Sequence, residues 1–202
     1  MAKSYYIPST SLEVLTEVKK SRFFARATMV ATRDEAMSFI DVAKKDYPDA
    51  RHHCWAYFLG NPSSASSAAM NDDGEPGGTA GKPILNVIQH KDIGDVIVVV
   101  TRYFGGVKLG AGGLTRAYSG AAESVLSSLP LIEQIPLVNV VISCDFSQEQ
   151  LIRHWATQWQ ATVVKIEYGE GVEIELSLPE VSLGKVEKFC IANSVALKEK
   201  KD

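Results

Sequence analysis

The 202-residue chain holds only three cysteines, Cys54, Cys144 and Cys190, far apart and in no C-x-x-C pair. That excludes a disulfide framework, a zinc ribbon and a thioredoxin-type site, and leaves reduced, mostly buried thiols as the expectation. Long apolar runs are also missing. Val96–Val100 is strand-sized, far short of the ~18 residues a membrane span needs. The opening residues, MAKSYYIPSTSLEV, contain no apolar stretch of the signal-peptide kind. A soluble, cytoplasmic protein with no membrane partner is expected. Nor is positive charge in excess: 21 Lys+Arg against 24 Asp+Glu give a net charge of −3, so no whole-molecule field draws in nucleic acid. H-E-x-x-H, G-x-S-x-G and the kinase motif set are absent. No catalytic residue, metal or cofactor is assigned, and whether the chain is an enzyme stays open, with a binding protein favoured.

What is present is globular material. Hydrophobic residues make up 46%, charged residues 22% and aromatics 8%, enough for one large domain or two small ones. Residues 1–134 hold 14 basic and 14 acidic side chains, and residues 135–202 hold 7 and 10. A break at Pro130–Pro136 divides the chain there. Before it, Tyr5-Tyr6-Ile7 and Phe23 to Ala27 read as strands. Thr32 with Glu35 is a capping box, and Ala36, Phe39, Ile40 and Ala43 continue at helical spacing to Tyr47-Pro48-Asp49. His53 to Leu59 is strand-like, and residues 60–75 read as a loop. A helix starts near Pro83, which suits the first helical position, with Ile84, Val87 and Ile88 inward. Asp95 to Tyr103 is too continuously apolar to lie anywhere but centrally in a sheet. Leu114, Ala117, Tyr118, Ala121 and Val125 share one helical face.

After the break the order is strand 137–144, helix 148–160, strands 162–168 and 172–178, helix 180–192 and strand 194–198. Ser147 and Gln150 are expected to cap the first of these helices. Leu151, Ile152, Trp155 and Trp159 are expected to face its core. Gly169-Glu170-Gly171 is a hairpin turn. Val172, Ile174, Leu176 and Leu178 alternate with Glu173, Glu175 and Ser177, so one face is buried. The βαββαβ order is ferredoxin-like. Its open face, with Val163, Lys165 and Glu167 beside the glutamates, repels RNA and suits a protein partner or domain packing.

Chemistry concentrates in two glycine-rich segments. Asp72-Asp73-Gly74-Glu75-Pro76-Gly77-Gly78-Thr79-Ala80-Gly81-Lys82-Pro83 enters a helix, where backbone N–H groups and Lys82 can hold an anion. It is no Walker A loop, because positions 76 and 83 are both Pro. Asp72, Asp73 and Glu75 can instead grip a divalent ion, or simply be solvated. The second segment runs from Arg102-Tyr103-Phe104-Gly105-Gly106 through Lys108, Gly110 and Gly112 to Arg116. It does not complete a dinucleotide fingerprint, since Thr115 stands where Gly or Ala is needed. Arg102, Lys108 and Arg116 with Tyr103 suit a nucleic-acid backbone and an unstacked base. Tight packing is the plainer alternative, although five glycines within residues 105–113 carry a large entropic cost for a mere turn. In Arg51-His52-His53-Cys54, neighbours on a strand face opposite ways, which rules out a shared metal and a His53–Cys54 nucleophilic pair.

These stretches, Asp72 to Pro76, Gly78 to Pro83, Arg102 to Gly106, Leu109-Gly110 and Gly112-Gly113-Leu114, resemble the IMPACT family. Arg51 to Cys54 and Lys20-Ser21-Arg22-Phe23 are similar too, and the length with its βαββαβ unit looks like the bacterial, YigZ-like form. The resemblance implies an α+β fold in two domains. Residues 1–134 would resemble domain 2 of ribosomal protein S5. Residues 135–202 would be a ferredoxin-like domain similar to the last domain of elongation factor G. It also implies a translation-linked role. The expected site is one groove in which Arg102, Tyr103, Lys108, Arg116 and Lys82, with Gly105, Gly106, Gly110 and Gly112, meet RNA or the ribosome. Asp72, Asp73, Glu75, Thr79, Arg51, His52 and His53 would support it. A protein partner docking on the C-terminal domain is the first alternative. An enzyme acting on a nucleotide or small phosphorylated substrate is the second.

Overall fold

The computed structural model describes residues 4–200. The chain forms two compact units, meeting in sequence at Gln134 and Ile135. The first runs β1 (Tyr5–Pro8), β2 (Leu12–Val18), β3 (Ser21–Met29), α1 (Arg33–Asp46), β4 (His52–Leu59), β5 (Ser67–Asn71), α2 (Gly81–Lys91), β6 (Val96–Tyr103), α3 (Ala111–Ser128) and β7 (Leu131–Gln134). Five strands form an antiparallel sheet in the order β2-β3-β6-β4-β5, and β1 pairs with β7.

The continuous apolar run of β6 places it in the middle, covered on both faces. Val96, Val98 and Val100 join Phe23, Ala25, Ala27, Cys54 and Ala56 under α2 and α3, whereas Ile97 and Val99 join Tyr57 and Leu59 under α1. Alanines on the sheet meet Ala117, Ala121 and Ala122 of α3 in the same core, and their short side chains let the helix sit close. At the start of α1, Thr32 Oγ1 accepts the Glu35 N–H at 3.2 Å. Glu35 reaches past the cap to the Ala31 N–H at 2.7 Å.

Four stretches differ from the sequence expectation. Residues 60–75 are not all loop, because β5 pairs along β4 at the sheet edge. Its residues, Ser67-Ala68-Ala69-Met70-Asn71, lack the β-branched side chains that mark a strand. β2 was not anticipated, and neither was the short strand β7 that lies between Pro130 and Pro136, where the chain divides. Pro83 is the third residue of α2 rather than the first. It is tolerated because the N–H groups of the opening turn have no partner within the helix.

The second unit runs β8 (Leu137–Cys144), a 3-10 turn, α4 (Glu149–Gln158), β9 (Thr162–Tyr168), β10 (Val172–Pro179), a second 3-10 turn, α5 (Leu183–Ala192) and β11 (Ala196–Glu199). Its antiparallel sheet has the order β11-β8-β10-β9, the ferredoxin-like arrangement of a βαββαβ unit. Val140, Ile142, Val172, Ile174, Leu176 and Leu178 pack on Ile152, Ala156, Trp159, Val186 and Cys190. Leu151 and Trp155 are exposed, contrary to expectation, because only one narrow stripe of α4 meets the sheet. Asp145 and Gln148, not Ser147 and Gln150, form the capping box, since a 3-10 turn precedes α4. A register shift in β9 leaves Val164 unpaired and sets Val163 opposite Leu176, so Val163 leaves the row of Lys165 and Glu167.

One glycine fixes where the chain goes after β6. A Cβ on Gly105 would be driven into the Lys20 carbonyl and the Ser21 nitrogen, and the Gly105 N–H donates to Ser21 Oγ at 3.1 Å. The segment leaving β6 therefore lies directly on the β2–β3 turn. Gly105→Ala is expected to lower unfolding free energy by about 1–3 kcal/mol in urea denaturation, as overpacked positions do. Gly77→Ala, where a Cβ meets open space, is expected to be neutral or slightly stabilising.

Candidate functional site

The register across three strands sets Phe23, Arg102 and His52 side by side at one end of the sheet. Arg102 is buried there, and its Nη1 donates to Glu75 Oε1 at 2.6 Å. The Tyr118 hydroxyl of α3 donates to the same oxygen at 2.8 Å. The guanidinium carbon sits 5.7 Å from the ring centre of buried Phe23 and 5.7 Å from that of exposed Phe104. A carboxylate from the first glycine-rich segment thus holds a cation from the second, and both close onto α3. Burial and the nearby Cys54 and Glu75 push the Tyr118 hydroxyl up, so it remains a donor.

The expected anion site at the start of α2 is filled from within. Asp72 Oδ1 accepts the N–H groups of Ala80 at 3.0 Å and Gly81 at 2.8 Å, while Oδ2 accepts that of Gly78 at 2.8 Å. Partial burial raises the Asp72 pKa, but these three backbone donors more than offset it and leave the carboxyl below its ordinary range. Asp72 itself is the anion that this helix end attracts. Asp73 and Gly74 both take positive φ in a turn closed by the Glu75 N–H on the Asp72 carbonyl, as in a type I′ turn. Asp73 Oδ2 accepts the His53 N–H at 2.7 Å, and its carbonyl lies 2.9 Å from His52 Nδ1. Thr79 Oγ1 donates to the Pro76 carbonyl. The three carboxylates therefore have separate structural tasks. Among the described residues, no group of three His, Cys, Asp or Glu is placed to hold a metal ion.

His53 and Cys54 point apart. His53 Nδ1 lies 3.0 Å from Thr101 Oγ1, and Cys54 Sγ donates to the Asp72 carbonyl at 3.0 Å. Burial pushes the Cys54 thiol up, which keeps it protonated and unreactive.

A cleft of about 640 Å³ opens beside the buried pair. Its lining includes Arg51, His52, Tyr103, Phe104, Lys108 and Ala111, along with Glu75, Arg102 and Asp49. Parts of both glycine-rich segments therefore share one wall. Gly110 also lines the cleft and caps α3 at φ +71°, with no side-chain hydrogen bond to the helix end and no acidic residue in its first turn. The positive end of α3 is thus open, unlike that of α2. Tyr103 points to the other sheet face, where the Arg22 guanidinium lies 5.2 Å from its ring centre, with Phe24 and Tyr47 alongside.

Other expected members lie elsewhere. Lys82 lines a second hollow, between α2 and α3, with Thr115 and His90. Arg116 is exposed on α3, near Gly112. Gly105 backs the β2–β3 turn, and Gly106 has positive φ in open space. The Tyr118 hydroxyl was not anticipated; Asp72, Asp73 and Glu75 were expected to orient the cations, and the structure shows Glu75 doing so by pairing with Arg102. Tyr118 carried a usable signal as the one hydroxyl-bearing aromatic on the inner face of α3.

Two outcomes follow from this geometry. Glu75→Gln leaves a buried cation without its counter-charge and is expected to cost about 3 kcal/mol of stability. Adding Arg102→Met is expected to return part of that loss in urea denaturation. Burial, opposed in part by Asp73 and reinforced by Lys44 and His52, holds the His53 pKa below its ordinary value of 6.5. The unfolded chain then binds more protons at this position than the folded one. Its contribution to stability is whole above about pH 6.5 and falls as pH drops toward the depressed value. The urea midpoint should decline from pH 7.5 to roughly pH 5.5, and less so in His53→Gln.

Residues 19–126 match the Impact N-terminal domain, and residues 142–193 match a domain of unknown function, DUF1949. The chain is 34% identical over 177 residues to the IMPACT family member YigZ of Escherichia coli, covering 88% of this chain and 87% of that protein. It is 38% identical over 180 residues to the IMPACT family member YvyE of Bacillus subtilis, covering 89% and 82%. The Saccharomyces cerevisiae protein IMPACT homolog matches at 32% over 120 residues, 58% of this chain and 45% of that protein. A crystal structure of a hypothetical protein superposes with a TM-score of 0.71 at 31% identity and covers the whole of both chains. Among the described residues, no helix is long and apolar enough to cross a membrane. The motif segments that build the buried pair and the cleft lie inside the matched N-terminal domain, and the chain belongs to the IMPACT family.

Proposed function

We propose that this chain is a non-enzymatic, translation-linked regulator that binds RNA, free or in the ribosome, through the cleft beside the Arg102–Glu75 pair. The observation that carries this reading is the convergence at one opening of Arg51, Lys108, the uncapped end of α3 and the exposed ring of Phe104. Cations and an open helix end suit phosphate, and an exposed aromatic ring suits an unstacked base. Arg102 plays a different part from a free phosphate ligand, since its charge is balanced by Glu75. The phosphate contacts in this reading come from Arg51 and Lys108, both exposed.

Co-sedimentation with ribosomes and ribosomal subunits across a salt series tests the proposal. Saturable binding that weakens with salt is expected. Arg51→Ala and Lys108→Ala should each lower affinity and reduce the slope of log K against log salt by about 1 or less. Absence of binding at low salt, or binding indifferent to both substitutions, would overturn it.

A further inference from the structure

We infer that Phe104 is the base-stacking platform of this cleft, an inference that rests on the nucleic-acid reading above. Phe104 lines the cleft and is 60% exposed, an unusual state for a phenylalanine. It is nevertheless held from behind. The Arg102 guanidinium lies 5.7 Å from its ring centre and is itself backed by the Phe23 ring at the same distance. Glu75 fixes that guanidinium through Nη1, and Arg102 is 7% exposed, so the support is part of the core.

The buried guanidinium thus lies within cation–π distance of two rings, Phe23 in the core and Phe104, which is exposed and lines the cleft. A cation against one face of a phenyl ring anchors it by the cation–π attraction. A ring ordered before binding loses little entropy when a second planar group settles on it. The occupant is set by what surrounds the ring. Lys108 and Arg51 line the same cleft, and the open end of α3 begins at Gly110 and Ala111. A ligand that offers a flat π-face to Phe104 and negative charge to these groups is a single-stranded nucleotide chain. Arg102 is then a positioning residue: it acts through Phe104.

Fluorescence anisotropy with a short labelled oligoadenylate, and with an abasic ribose-phosphate strand of the same length, tests this on the full chain. Phe104→Ala should weaken oligoadenylate binding by about tenfold, as loss of one stacked base does. The salt slope should be unchanged, because no phosphate contact is lost. Phe104→Trp should retain or improve affinity. On the abasic strand, wild type and Phe104→Ala should bind alike. Because Phe104 is exposed, a thermal melt of Phe104→Ala should match wild type and exclude unfolding as the cause. Salt-dependent oligoadenylate binding that Phe104→Ala leaves intact would refute the platform and spare the nucleic-acid reading. So would equal wild-type affinity for the two strands. Failure of wild type to bind either strand at low salt would refute both.

Discussion

The Arg102–Glu75 ion pair is the constraint on which the N-terminal unit turns. Glu75 belongs to the connection between β5 and α2, and Arg102 to the far end of the central strand. Their 2.6 Å contact, shared with the Tyr118 hydroxyl, ties a connection, a strand and a helix together at one buried point. Neither charge is favourable there alone, and each makes burial of the other tolerable. The same pair decides what the neighbouring surface becomes. With its charge balanced, Arg102 serves as a shelf for Phe104, and the free cations of the cleft are left to Arg51 and Lys108.

Two helix beginnings show how alike sequences reach different ends. Both α2 and α3 follow glycine-rich stretches, and both present backbone N–H groups at a positive dipole end. At α2 the chain supplies its own carboxylate, Asp72, which takes three backbone donors and closes the site. At α3 the cap is Gly110, which brings no side chain, and the end opens into the cleft. Glycine serves different purposes within a few residues. At Gly105 it permits close backbone approach, and at Gly110 it permits a positive φ.

Much of this is legible in the amino-acid sequence. The run Val96–Val100 announced a central strand, the Thr32–Glu35 pair announced α1, and the alternation from Val172 to Leu178 announced a one-sided sheet. The motif segments announced the family. Other features depend on partners distant in sequence. β5 has no strand signature of its own and exists because β4 offers it an edge. β2 had its alternating Leu12, Val14, Thr16 and Val18 in view, with Glu13, Leu15 and Glu17 between, and was a missed signal rather than a hidden one. The exposure of Trp155 follows from how narrow a stripe of α4 the sheet covers. Which carboxylate meets which cation could not be read from spacing, since Asp72, Asp73 and Glu75 are near neighbours with three unrelated tasks.

The cleft account is tested most directly by photo-crosslinking a single-stranded RNA to the intact protein and mapping the attached peptides by mass spectrometry. Crosslinks concentrated between Asp49 and His52 and between Tyr103 and Ala111 are the predicted result. Crosslinks confined to the C-terminal unit, or to the hollow around Lys82 and His90, would contradict it.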